Sequence, residues 1–156
     1  MGVLFQEKDM IFVDTNYFIR LIEKEDVDQH DAVEKLFLKG AKNEIDLGSS
    51  SVVFFEIYWL MKTFYKKEKN DLVAILKMVQ DMTFIKWENG KLLAEAVEMM
   101  EKINFDLEDA YNLAYARKVG ASEMASFDKN LVKMLGKYLK MCLQMSQNNK
   151  ALPKEH

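Results

Sequence analysis

Met10-Ile11-Phe12-Val13-Asp14-Thr15-Asn16 is the stretch whose reading decides the fold. Ile11, Phe12 and Val13, two of them β-branched, read as a short strand buried on both faces. Asp14 stands where that strand ends. Thr15 and Asn16 fit the cap and first turn of a helix with apolar positions at Phe18, Ile19 and Ile22. An acidic side chain at the carboxyl end of a parallel strand sits where open α/β sheets gather ligands. The competing reading is that Asp14 only caps the helix.

Outward from this stretch, strands alternate with helices. A helical stripe runs through Val27, Ala32, Val33, Leu36 and Phe37, with Gly40 or Asn43 expected to end it. Ile45 to Leu47 is a weak strand candidate. Ser49, Ser50 and Ser51 offer caps for a helix from about Val52, whose residues are almost unbroken apolar except for Glu56. A helix apolar all round should be largely buried. A carboxylate there costs several kcal/mol unless it is paired, so Glu56 calls for a salt bridge or a metal.

Leu72 to Met82 reads as a helix, Thr83 to Trp87 as a strand, and Leu92 to Ile103 as an amphipathic helix with methionines as core filler. Asp106 is placed to cap the next helix, with Asp109 in its first turn. Asp109 shares a face with Leu113 and Ala116 and should point inward. Glu123 to Ser126, between Gly120 and Phe127-Asp128, is expected as a strand, with Asp128 at its end. Tyr138 to Leu143 is expected as a last edge strand. The whole is an α/β chain with a parallel sheet covered on both faces.

The 156 residues suit one domain, with residues 1–9 as an N-terminal extension, 10–145 as the domain and 146–156 as a polar, frayed tail. The lone Cys142 allows no internal disulfide, and two His residues make a zinc cluster or a Ser-His-Asp triad a poor reading. No apolar run reaches a membrane span, and a reducing cytoplasm is the expected location. Net charge is −3, unevenly spread. Residues 1–116 hold 14 Lys/Arg against 22 Asp/Glu, and residues 117–156 hold 8 against 3. An acidic body with a basic final quarter suits a polyanion held beside a cation-filled site, or simply solvated lysines.

If Asp14, Glu56, Asp109 and Asp128 converge, repulsion dictates the rest. Two carboxylates about 4 Å apart repel by roughly 4 kcal/mol at an effective dielectric near 20. Such a cluster either raises its pKa values or binds cations, and oxygen donors without His or Cys select Mg²⁺ or Mn²⁺.

In Phe12-Val13-Asp14-Thr15-Asn16, Glu56, Asp109-Ala110 and Ser126-Phe127-Asp128, in that order from about Met10 to Leu143, the chain resembles the PIN-domain family. The resemblance implies a three-layer α/β/α fold with a five-stranded parallel sheet and a flap-endonuclease-like core. It implies a metal-dependent ribonuclease in which Asp14, Glu56, Asp109 and Asp128 hold one or two Mg²⁺ or Mn²⁺ ions. Products would carry a 5′-phosphate and a 3′-hydroxyl. Thr15, Asn16 and Ser126 would orient ligands or phosphate oxygens, with Lys129 and Lys133 on phosphates. Within the family the chain most resembles the toxin of a VapBC-type pair, a homodimer that cleaves RNA and is restrained by an antitoxin protein. The helix around Phe54, Phe55, Tyr58 and Trp59 would offer the dimer or antitoxin surface, unless those aromatics are core. A housekeeping RNA-processing nuclease and a catalytically silent RNA- or protein-binding module are the alternatives. A receiver-like acidic pocket fits poorly, because its third-strand Asp and late Lys cannot both be placed.

Overall fold

The computed structural model describes residues 9–150. Its order is β1 (Met10–Phe12), α1 (Thr15–Ile22), α2 (Val27–Ala41), β2 (Asp46–Ser49), α3 (Ser51–Thr63), α4 (Lys69–Asp81), β3 (Ile85–Trp87), α5 (Gly90–Lys102), α6 (Leu107–Lys118) and α7 (Lys129–Lys150). The three strands lie in the order β1-β2-β3, both pairs parallel. Helices fill each crossover, as parallel neighbours require.

The α/β class and the parallel sheet are as the periodicity implies, but the sheet has three strands among the described residues, where five were expected. Glu123–Ser126 forms no regular element. Its composition, with Glu, Ala and Ser and no β-branched residue, gives little to pack on a pleat. Tyr138–Leu143 lies inside α7, where Leu131, Leu135 and Tyr138 are buried at helical spacing. The helix also carries Ser146 to Lys150. Residues 1–8 and 151–156, most of the expected extension and tail, lie outside the described residues.

β1 is not buried on both faces. It is an edge strand of the described sheet, with Phe12 60% exposed. Gly40 does not end α2 but lies within it, because a Cβ there would stand 2.7 Å from Leu47 Cδ1. Its absence lets α2 close on β2. Asn43, in the left-handed conformation, follows the helix.

The core runs through α1, α3, α5, α6 and the buried side of α7. Trp87 packs between Phe18, tilted at 5.1 Å, and Phe54, edge-to-face at 5.2 Å between centroids. α6 lies along α5 with Ala110 and Ala114 fully buried, small enough for close approach. Arg117 forks onto Glu95 at 2.9 and 2.7 Å, and the Tyr138 hydroxyl donates to the same carboxylate. One buried-edge acid therefore fastens α6 and α7 to α5.

Candidate functional site

The end of β1 is pinned before Asp14 begins. Val13 N–H donates to the Gly48 carbonyl at 2.8 Å, and the Ser49 hydroxyl donates to the Val13 carbonyl at 2.7 Å. Asp14 is the N-cap residue of α1 by backbone position, yet its side chain makes no capping bond. Capping alone thus fails to explain it, and its carboxylate stands exposed and uncommitted. Thr15, beside it, is 5% exposed and donates its hydroxyl to Glu56. Asp14, Thr15, Asn16, Glu56, Trp59 and Leu60 line one cleft of about 430 Å³.

Glu56 is exposed, so the burial cost expected from its apolar neighbours does not arise. The cause lies in α3 itself. Its outward stripe is also apolar, with Val52 67%, Trp59 46% and Leu60 37% exposed around Glu56. Among the described residues Glu56 makes no salt bridge. Of the aromatics expected as a partner surface, Phe54 and Tyr58 are core, Phe55 is half-buried against Tyr111, and Trp59 remains outside.

A second cleft, of about 490 Å³, is lined by Tyr58, Lys62, Asp106, Asp109, Asp128 and Asn130 among others. About 120° separates Glu56 from Lys62 around α3 at 100° per residue, so the two clefts open on different flanks of that helix. The four expected carboxylates are therefore shared two and two. Among the described residues no three His, Cys, Asp or Glu side chains are placed to hold one ion.

The second cleft, whose acids are Glu68, Asp106, Asp109 and Asp128, commits two of them. Asp106 occupies the N-cap position of α6 without a capping bond. Instead it accepts from Lys62 Nζ at 2.8 Å and from the Tyr58 hydroxyl at 3.1 Å. The lysine holds the Asp106 carboxyl below its ordinary pKa, chiefly through that hydrogen bond. Asp128 does cap: its Oδ1 accepts the backbone N–H of Asn130 at 2.9 Å and of Leu131 at 3.2 Å. Ser126 Oγ accepts the N–H of Asp128 at 3.0 Å, leaving the hydroxyl proton for another acceptor. Asp109 has none of these ties. Burial first, then the charges of Asp106 and Asp128, push its pKa up.

Sequence reasoning missed the Tyr58–Lys62–Asp106 cluster. Lys62 reads as the start of a charged connection, while its i−4 neighbour Tyr58, which it also meets at 3.2 Å, was the available signal. Lys62 Nζ further lies 5.4 Å from the Tyr58 ring centre and 5.6 Å from that of Trp59. Lys129 is exposed at the start of α7 and Asn16 at that of α1.

Comparison with known proteins adds the following. The family model described as PIN domain matches residues 11–136. A solved structure of Mycobacterium tuberculosis VapC20, described as a sarcin–ricin-loop-cleaving toxin, is 20% identical, covering 79% of this chain and 92% of that one, with a TM-score of 0.38. No curated protein matches. Among the described residues no helix is long and apolar enough to cross a membrane.

Proposed function

The chain belongs to the PIN-domain family, and from that premise we propose that it is a divalent-metal-dependent endoribonuclease and the toxin of a toxin–antitoxin pair. The observation carrying the nuclease reading is the cleft at the end of β1, which Asp14 and Glu56 both line with no cap bond or salt bridge to occupy them. Their donor type fits Mg²⁺ or Mn²⁺, which take hard oxygens. The sharing of four carboxylates between two clefts also fits, because Mg²⁺ is usually held by one or two carboxylates plus water and substrate phosphate.

Asp14 and Glu56 would hold one ion, with Asp109 and Asp128 as the second group. When bound, the ion supplies an acidified water and positive charge opposite the scissile phosphate. Thr15, its hydroxyl given to Glu56, fixes the orientation of that carboxylate. Asn16 and Ser126 offer donors to phosphate oxygens, and Lys129 adds charge at the mouth of α7. Asp109, whose pKa burial and the charges of Asp106 and Asp128 push up, would gain from a nearby cation.

The outward stripe Val52, Trp59 and Leu60 is the proposed antitoxin or homodimer surface. A partner seated there would cover Glu56, which lies within the stripe, and so silence the site. A catalytically silent binding module is the second reading, favoured by the absence of any three-ligand group among the described residues.

The test is cleavage of single-stranded and structured RNA with Mn²⁺ or Mg²⁺ by the wild type and Asp14→Asn. Metal-dependent cleavage leaving 5′-phosphate ends, lost in the variant, supports the nuclease. Absence of cleavage by the wild type, or undiminished cleavage by Asp14→Asn, overturns it. Growth arrest on expression, relieved by a protein from the neighbouring reading frame, tests the toxin role. An active nuclease that leaves growth untouched would point to RNA processing.

A further inference from the structure

α7 presents two unlike sides. At 100° per residue, Leu131, Leu135 and Tyr138 share one side and are buried in the core. Lys129, Lys133, Lys137 and Lys140 fall within about 80° of each other on the opposite side. All four are exposed, and among the described residues none is in a salt bridge.

Ordinary solvated lysines on a helix are commonly balanced by acids three or four residues away. From Lys129 to Lys150 the sequence contains no Asp or Glu. The Lys129/Lys133 and Lys133/Lys137 pairs repel at i,i+4 spacing and weaken the helix. Gly136, mid-helix and exposed beside them, weakens it again. Nothing lies within 4 Å of a Cβ built there, so packing does not require the glycine. Both features cost the isolated protein and suit a backbone-rich anion brought close to the helix.

We infer that this side of α7 is a track for single-stranded RNA, with Lys129, Lys133, Lys137 and Lys140 on successive phosphates. Lys129, Lys133 and Lys137 stand about 6 Å apart along the axis, and the four lysines span about 16 Å. The track starts at Asp128, which lines the second acidic cleft, so a bound strand is led toward the acids. An anionic membrane suits the side less well, since Leu131, Leu135 and Tyr138 are buried in the core. The apolar residues that α7 leaves exposed, Val132 and Leu143 against Met141 and Met145, fall on two separate flanks and make no single face to enter lipid. The inference takes its ligand from the RNA reading above and none of its chemistry.

The experiment measures anisotropy of a labelled single-stranded RNA against the full chain in EDTA, over a range of salt. The wild type is compared with Lys133→Gln/Lys137→Gln/Lys140→Gln, which leaves Lys129 in place. Losing three phosphate contacts should lower affinity ~100-fold near 0.1 M salt and flatten the log K against log salt slope by ~2. The triple Lys→Arg variant should keep wild-type affinity and slope. Equal affinity and slope in the Gln variant overturns the track, as does loss in the Arg variant, which would mark a structural effect. It is equally overturned if the Gln variant loses binding to phosphatidylserine vesicles and keeps its RNA affinity. Cleavage is read separately. Track-dependent binding without cleavage defeats the nuclease alone, and cleavage with an unchanged slope defeats the track alone.

Discussion

In the cleft at the end of β1, Asp14 and Glu56 are exposed and owe nothing to the fold beyond one hydroxyl from Thr15. Across α3, Asp106 is tied to Lys62 and Tyr58, and Asp128 to the first turn of α7. Asp109 and Glu68, which also lines that cleft, have no such partner among the described residues, and burial pushes the Asp109 pKa up. The same side-chain type serves as scaffold in one cleft and stands idle in the other. What separates them is whether a lysine or a backbone N–H is already within reach. An acid with no structural employment is the better candidate for function.

Substitutions can break that contrast. Asp14→Asn should reduce metal-dependent RNA cleavage by at least ~100-fold, the scale of losses around metal sites, with its melting temperature within a degree or two of the wild type. Asp128→Ala should lower fold stability as well as cleavage, because Asp128 caps α7. Loss of a helix cap costs about 1 kcal/mol, or roughly 2–4 °C in a chain of this size. Asp128→Asn, which keeps a capping oxygen, should recover most of that in thermal melts.

Asp109→Asn should stabilise the protein at neutral pH by less than the cap contributes. A carboxyl whose folded pKa is raised lends stability below its unfolded value, near 3.8, and loses it as pH rises through the folded pKa. The gain from Asn should therefore be present at pH 7 and vanish below about pH 4, a trend that denaturant midpoints at each pH would reveal. The smallest effect belongs to Lys62→Met. Its pair with Asp106 is half exposed, so the loss should be about 0.2–1 kcal/mol. Asp106 carries the opposite sign. Its lowered pKa gives stability above 3.8 that disappears as pH falls through the folded value. A Lys62→Met penalty that persisted in strong acid would show that packing on Trp59, not the ion pair, is what the lysine provides.

The elements set by clear periodicity were legible in the sequence. β1 and α1 follow from Ile11–Val13 and the Phe18, Ile19, Ile22 spacing, and α3 from its serine caps, of which Ser50 accepts from Val53 N–H. α7 is harder to read, because Tyr138-Leu139 and Met141-Cys142 mimic a strand unless Leu131 and Leu135 are counted with Tyr138 at helical spacing. Glu56 reads as buried in one dimension because a linear apolar run hides which of its members face water. Of the two carboxylates of the first cleft, Asp14 is legible from its place at a strand end and Glu56 from its interruption of an apolar helix. Nothing in one dimension shows that Asp106 and Asp128 already have partners, since Lys62 reaches Asp106 across 44 residues.

The idle pair, Asp14 and Glu56, is the proposed holder of the divalent ion. Calorimetric titration of Mn²⁺ into the wild type, Asp14→Asn, Glu56→Gln and Asp106→Asn tests it most directly. Binding should be lost or strongly weakened in the first two variants and retained in Asp106→Asn. Mn²⁺ bound as tightly by Asp14→Asn and Glu56→Gln as by the wild type would contradict it.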